Sequence, residues 1–486
     1  MSEVADIQAL DLPALPANWR YRTVREIGAS GEQPVLTGPF GTNLGRGDFI
    51  ESGVPLLTIG CLTQSGINLE KALFVSEEKA EELSRYRLKE GDLLFSRMAS
   101  VGRAGLVPKW LEGALFNYHI MRLRLDESQI DTRLFINYVR GAPQVRDYLK
   151  AVNHGATRDG INTEQLLGLP VAVPPIDQQQ EIVAELEKQF SRLDEAVANL
   201  QRVKANLKRY KASVLKDAVE GRLVPTEAEL ARREGRTFET GEQLLQRILD
   251  TRRSIWAGRG KFRSPDAPAR DASDLPEGWT WSSIDQLAEV GTGATPNRSK
   301  AEYWTDGDVP WVTSGVANGD YVEKASEFVT RRALAETNLT LYPAGTLLVA
   351  MYGEGKTRGK CAELRIPATT NQALAALQVS DEVRAYVRHF LELNYEEMRK
   401  VASGGVQPNL NLSLVRAVAV PLPPLVEQKR IVAEVDRRLS LVRGVEAEVD
   451  TNLKRAQALR QATLQTAFNG TACVLTAEAL NHTECF

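Results

Sequence analysis

The chain has 486 residues, 43% hydrophobic and 25% charged, and its 60 basic and 63 acidic side chains leave a formal charge of −3. That is the composition of an ordinary globular protein of two to four domains. It argues against a chain that binds nucleic acid unaided, which usually carries a basic surplus, and no apolar run is long enough to span a membrane.

The start, Met1-Ser2-Glu3-Val4-Ala5-Asp6, has neither the basic opening nor the apolar core of a signal peptide. Leu15-Pro16-Ala17-Asn18-Trp19 opens a module, residues 1–175, of short β-rich runs bounded by Gly and Pro, which read as strands and turns. Val54-Pro55-Leu56-Leu57-Thr58-Ile59-Gly60 and Gly91-Asp92-Leu93-Leu94-Phe95 are two such runs. A polar loop, Gly38-Pro39-Phe40-Gly41-Thr42-Asn43-Leu44-Gly45-Arg46, precedes them. The module closes on Pro174-Pro175 and a long helix follows over 176–224. Its apolar residues Leu186, Phe190, Leu193, Val197, Leu200, Val203, Leu207, Tyr210 and Val214 step by three and four, the seam of a coiled coil. Gly221 is a natural stop. Residues 225–274 read as a linker with one short amphipathic helix around Gln243–Leu249. Its basic run, Arg252, Arg253, Arg259, Lys261 and Arg263, is expected to be solvated.

At 275 the chain begins again. Leu275-Pro276-Glu277-Gly278-Trp279 repeats the first opening, and Val309-Pro310-Trp311-Val312-Thr313-Ser314-Gly315 and Gly345-Thr346-Leu347-Leu348-Val349 repeat the two strand-like runs. Pro423-Pro424-Leu425-Val426-Glu427-Gln428 repeats Pro174-Pro175-Ile176-Asp177-Gln178-Gln179 at an offset of 249 residues. Self-similarity on this scale fixes an architecture before any residue is assigned a role. The second module is 275–424 and the second helix 425–471, with Val435, Leu439, Val442, Val449, Ala456 and Leu459 on the packing face and Asn452 aligned with Val203 as a register-fixing polar residue. Gly470 is its stop, and 472–486 is a tail. Each helix runs about forty residues, roughly 60 Å, with a stripe too narrow to stand alone. The expected fold is α+β, two globular α/β domains joined by two long antiparallel coiled-coil helices, with an internal pseudo-twofold repeat. A parallel pair, which the linker could span if extended, is the less economical alternative.

Chemistry-bearing motifs are scarce. Ala350-Met351-Tyr352-Gly353-Glu354-Gly355-Lys356-Thr357 fits a relaxed phosphate loop, but a phosphate loop needs a following helix and the sequence after it is too broken. The four cysteines (Cys61, Cys361, Cys473, Cys485) are scattered, which suits a reducing, cytoplasmic setting, and the four histidines have no metal-ligand spacing. No catalytic, cofactor or metal site is expected, and a P-loop ATPase or nuclease is the rival from another class. The polar loops diverge where the framework repeats. Thr42, Asn43, Arg46, Arg97, Arg103 and Lys109 in the first half are candidate DNA-contacting residues, with Asn297, Arg298, Lys300, Lys356, Arg358 and Lys360 in the second. Each alone is an ordinary solvated loop residue; on repeated frameworks they suit phosphate and base-edge contact.

The Gly38-Pro39-Phe40-Gly41 loop, Val309-Pro310-Trp311-Val312-Thr313-Ser314-Gly315, Asn371-Gln372 and the two Pro-Pro helices resemble the specificity subunit of type I restriction–modification systems. The resemblance covers nearly the whole chain except the tail. It implies two target recognition domains, each reading one half of a bipartite, asymmetric double-stranded DNA target. The helical regions would set the non-specific spacer and dock methyltransferase subunits, two in number. By the same resemblance S-adenosylmethionine sits on those partners, ATP and magnesium serve separate restriction subunits, and this chain holds no cofactor and is no enzyme. A subunit working only in modification is the near alternative.

Overall fold

A computed structural model gives the architecture, and the residues described are 12–31, 33–40, 43–63, 66–98, 101–153, 160–256, 262–268, 270, 274–352, 357–395, 398–399 and 410–468. Thr42, Lys356, Gly470 and the tail lie outside them. Two compact units emerge, residues 1–201 with 450–486 and residues 202–449.

The first unit begins with β1 (Arg20–Thr23), β2 (Val35–Thr37), β3 (Val54–Leu57), β4 (Leu62–Thr63), β5 (Gly66–Ile67) and β6 (Leu73–Val75). Helix α1 (Glu77–Glu82) then leads to β7 (Leu93–Ser96), β8 (Ala104–Leu106), β9 (Leu115–Phe116) and β10 (Ile120–Leu123). Three helices follow, α2 (Thr132–Gly141), α3 (Pro143–Asn153) and α4 (Thr163–Leu167), before β11 (Pro170–Val173) and the long α5 (Ile176–Val219). Strands β2-β10-β7-β8 form one sheet and β6-β3-β9 another. Every residue of β7 is buried. Side chains alternate across a strand, so Leu93 and Phe95 join the core under α2 while Leu94 joins Leu57 and Phe116 on the other face. Gly91, at φ +83°, sits in the turn that starts β7, a conformation open to glycine at little cost.

The second unit repeats this frame. After α6 (Glu227–Glu234) and α7 (Gly241–Ser254) come β12 (Thr280–Ser283), α8 (Ile284–Leu287), β13 (Ala288–Thr292) and β14 (Val309–Val312). Next are β15 (Tyr321–Val322), β16 (Glu327–Val329), α9 (Arg331–Glu336), β17 (Leu347–Ala350), β18 (Cys361–Leu364), β19 (Thr369–Thr370) and β20 (Leu374–Val379). The unit ends with α10 (Asp381–Leu393), α11 (Leu412–Arg416), β21 (Ala419–Leu422) and the start of α12 (Leu425–Phe468). Strand order is β13-β20-β17-β18-β15 in one sheet and β16-β14-β19 in the other. The phosphate-loop decoy resolves here. The chain after Thr357 turns back as β18, antiparallel to β17, where a nucleotide site would need a helix.

In both units the first strand pairs with the last, Arg20 with Val173 through Thr23 with Pro170, and Thr280 with Leu422 through Ser283 with Ala419. The chain passes from that ribbon through two prolines into a long helix. Gln179 Nε2 donates to the Pro174 carbonyl at 2.9 Å and Gln428 Nε2 to the Pro423 carbonyl at 2.8 Å, so the repeated glutamines are buried braces of the helix roots. Asn162 and Asn411, also 249 apart in the sequence, cap α4 and α11 by accepting the N–H groups of Gln165 and Leu414.

The long helices pack together and run antiparallel. In the first unit Asp194 of α5 meets Arg460 of α12 at 3.1 Å, and the root residues Val183 and Leu186 share a core with Leu464, Ala467 and Phe468 from the far end of α12. In the second unit Val214, Leu215 and Ala218 close on Ile431, Val435 and Leu439. Leu186, Val435, Leu439, Val442 and Val449 are buried, while Phe190, Leu193, Val197 and Leu200 are half-buried. The expected seam overreaches at three places. Val203, Tyr210 and Leu459 are exposed. Asn452 is half-buried, and its Oδ1 accepts from Arg455 on its own helix.

The segment expected as a linker differs most from its sequence reading. It carries two helices, and Leu244, Leu245 and Ile248 of α7 enter the same core as Trp279, Leu422 and Val435. Arg252 is no solvated cation. It donates to the carbonyls of Asp285 and Gln286 at 2.5 and 2.8 Å, and burial lowers its pKa.

Candidate nucleic-acid interface

Each unit builds its divergent loops around a turn asparagine and a glycine. In the first unit the Asn117 N–H donates to the Leu57 carbonyl at 3.0 Å, and Asn117 Oδ1 accepts the His119 N–H at 3.1 Å. In the second, Asn371 donates to Val312 at 3.0 Å and its Oδ1 accepts from the Ala373 N–H at 3.2 Å. An asparagine side chain that mimics a backbone turn fixes the residue after it at the tip. Gly38 and Gly293 abut these turns so closely that an added Cβ would fall 2.3 Å from the Asn117 carbonyl oxygen and 1.7 Å from that of Thr370. Backbone packs on backbone here, so a side chain at either position forces the loop away.

On that shared frame the side chains differ. The Phe40 ring stacks on Tyr118 at 5.8 Å, and the Tyr118 ring lies tilted against His119 at 3.9 Å. The backbone N–H of Arg97 donates to the His119 carbonyl at 3.0 Å, and that of Asn43 to the Phe40 carbonyl at 2.9 Å. Burial lowers the pKa of Arg97, and burial together with the Arg97 charge lowers that of His119. The imidazole is therefore neutral at neutral pH. Arg103 stands on the facing leg of the β7–β8 hairpin. Its N–H donates to Ser96 Oγ at 2.9 Å, and its exposed guanidinium reaches the Leu62 carbonyl. Arg46 lies in an exposed turn just past Asn43, and Lys109 in an exposed turn beyond β8 that no contact joins to the Phe40 cluster.

The equivalent rim of the second unit is polar. Thr295 Oγ1 donates to Gln372 Oε1 at 2.7 Å, and Met351 and Ala373 stand where Arg97 and His119 do, joined by the same backbone bond at 2.8 Å. Lys360 takes the place of Arg103, since Ala350 bonds its carbonyl as Ser96 bonds that of Arg103. Lys360 Nζ and Thr357 Oγ1 both reach Asn318 Oδ1, at 3.0 and 3.3 Å. Arg358 is half-buried beside Arg399, which donates to its carbonyl.

The 297–300 loop is more constrained than its charge suggests. Asn297 Oδ1 accepts from Ser299 N and Oγ, closing a local turn. The Arg298 guanidinium lies over the Trp304 ring at 3.8 Å and the Trp311 ring at 4.9 Å, and it pairs with Glu327. Lys300 Nζ reaches the Tyr303 hydroxyl at 3.2 Å. These three candidates brace their own loop and remain exposed on it. Charge alone passes over Phe40, Tyr118, Thr295 and Gln372, which pair across each rim. The available signal was their position beside a repeated glycine and a repeated asparagine. Among the described residues no group of three His, Cys, Asp or Glu is placed to hold a metal ion, and no helix is long and apolar enough to cross a membrane.

Comparison with known proteins bears on this arrangement. The family model described as the type I restriction modification DNA specificity domain matches residues 16–208 and 276–449. Over 178 residues the chain is 29% identical to the type I restriction enzyme MjaIX specificity subunit of Methanocaldococcus jannaschii, covering 35% of this chain and 40% of that protein. It is 22% identical over 188 residues to the EcoR124I/EcoR124II specificity subunit of Escherichia coli, covering 37% and 46%. The match thus spans less than half the length of these two relatives. With the HindI specificity subunit of Haemophilus influenzae the likeness is 21% over 382 residues, 73% of this chain and 82% of that protein. A chain solved in work on complex assembly and conformational transition of the type I R-M system superposes with a TM-score of 0.60 at 18% identity, over 93% of this chain and 98% of that one. That is a likeness of fold.

Proposed function

The chain belongs to the type I restriction–modification DNA specificity family, and from that premise we propose that it reads an asymmetric bipartite DNA target, one half-site per recognition domain. The observation that carries this is the pair of rims, with one glycine–asparagine frame in each unit holding unlike side chains at matching positions. Phosphate contacts set register and base-edge contacts specify. Arg46, Arg97, Arg103 and Lys109 in the first domain, and Lys300, Arg358 and Lys360 in the second, are the cations offered to the duplex. Thr42, Asn43, Asn297, Arg298 and Lys356 complete the proposed contact set.

The two long helices set the spacer and dock methyltransferase subunits, which carry S-adenosylmethionine and modify adenine; restriction subunits with ATP and magnesium act on the assembled complex, in the cytoplasm. Exposed apolar residues on the helices, Val203, Tyr210, Leu441 and Val445, support a partner-covered surface. The partners' field also answers the acidic net charge, since part of the cationic surface then comes from other chains.

Methylome sequencing of a host carrying this chain with its methyltransferase is the test. A bipartite motif with two different half-sites is expected, and a palindrome with identical halves refutes the reading. Removing seven residues from each helix should change the spacer, and an unchanged spacer rules out the helices as the measure of distance.

A further inference from the structure

Both rims place an interacting pair of side chains at the same two frame positions, two residues past the close-approach glycine and one past the turn asparagine. In the first unit these are Phe40 and Tyr118, stacked with 26° between ring planes, and 55% of Phe40 stays exposed. A phenylalanine carries no hydrogen-bond donor or acceptor, so an exposed ring in a groove contributes apolar contact rather than hydrogen bonds. In a DNA groove the apolar feature that distinguishes one base is the thymine 5-methyl group.

In the second unit the pair is Thr295 and Gln372, both exposed. The Thr295 hydroxyl donates to Gln372 Oε1 at 2.7 Å, which fixes the carboxamide plane. Oε1 keeps a second lone pair and Nε2 keeps its donors. One acceptor and one donor side by side match the N6 and N7 edge of adenine. The turn asparagine behind each pair is bonded in the same way, and the pairs differ in their side chains.

We infer that these pairs are specificity-determining positions that read by unlike means: Phe40, backed by Tyr118, packs on a thymine 5-methyl group in one half-site, while Gln372, oriented by Thr295, hydrogen-bonds an adenine edge in the other. The inference rests on the proposed role in DNA specificity. It adds which residues read, and it assigns apolar contact to one domain and hydrogen bonding to the other.

Methylomes made with Phe40→Ala and Gln372→Ala come first, and each variant should relax one position of one half-site and spare the other half. Binding of the assembled complex to synthetic duplexes follows, with each thymine of the first half-site replaced in turn by uracil and each adenine of the second by 7-deazaadenine. One uracil position should weaken wild-type binding about tenfold and be silent with Phe40→Ala. One deaza position should do the same for wild type and be silent with Gln372→Ala. Phe40→Leu, which keeps an apolar contact, should keep the uracil effect and so separates recognition from folding. Additive losses in either cycle, or variants that relax no position, overturn the inference and leave the specificity role standing. A wild-type complex without sequence preference overturns both.

Discussion

The two helix roots use one socket at different depths. In the first unit Trp19 is half-buried and its indole N–H is accepted by the neutral Gln178 side chain at 3.1 Å. In the second, Trp279 is buried and donates to the Glu427 carboxylate at 3.0 Å, whose other oxygen accepts the Glu227 N–H at 2.8 Å. Glu227 opens α6 and pairs in turn with Arg430 at 2.6 Å. A carboxylate at the first turn of a helix meets unpaired N–H groups and the positive end of the dipole. Glu427 is itself fully buried, and burial holds its pKa above the ordinary range. The single change from glutamine to glutamate thus coincides with a connector docked on the second root.

The sharpest way to break that contrast is to empty both sockets. Trp279→Ala should cost about 3–5 kcal/mol, as removal of a buried aromatic does, and Trp19→Ala visibly less, measured by urea unfolding. Equal losses would mean the roots are equivalent after all. Next, Glu427→Ala leaves two buried donors without an acceptor and should cost about 1–3 kcal/mol. Gln178→Ala, on a half-exposed indole, should stay below about 1 kcal/mol.

A pH dependence sharpens the same comparison, because among the described residues the second domain rests on its helix through a histidine, His389. His389 of α10 lies with Nε2 3.0 Å from Asp436 of α12 and Nδ1 3.6 Å from Glu392, which Lys211 of α5 holds at 2.8 Å. Burial alone would lower the His389 pKa, as would the nearby Arg388, but the two carboxylates outweigh both and raise it above 6.5. Glu392, opposed by burial but held by His389 and Lys211, is lowered to about 2. For a histidine raised in the fold, the stabilisation is complete below about pH 6.5 and fades as pH rises through the shifted value. The thermal stability of the second unit should fall over that rise, and His389→Gln should flatten the trend; an unchanged slope would assign it elsewhere. In the first unit α2 meets the long helices through Arg133 and Glu187 at 3.2 Å and through the close approach of Gly141 to Leu464. The smallest effect is expected at Asn452→Val, within about 0.5 kcal/mol, since the half-buried amide is engaged along its own helix.

Much of the frame was legible because its signals are local and doubled. Pro-Pro followed by Gln179 or Gln428, and Asn162 matched by Asn411, each bond within a few residues, so their repetition reported the structure directly. The connector was misread because the residues that bury α7, Trp279 and Leu422 among them, come later in the chain. An amphipathic helix without a visible partner reads as solvated. The rims were half legible. Charge marked loops beside the repeated glycine and asparagine, but Phe40 meets Tyr118, 78 positions further on, and Arg298 is absorbed by Trp304 and Trp311, pairings that spacing does not announce.

The strand that opens each domain lies beside the strand that closes it, Arg20 against Val173 and Thr280 against Leu422. Entry and exit therefore share one edge, the condition under which a domain can be cut out and another inserted with little disturbance of its host. Recombination at those paired ends could install a new half-site in one step while the helix roots, with their glutamine braces, stayed in place. On the proposed reading, change of target then comes by exchange of whole domains as readily as by single substitutions, and each half of the target is free to evolve alone.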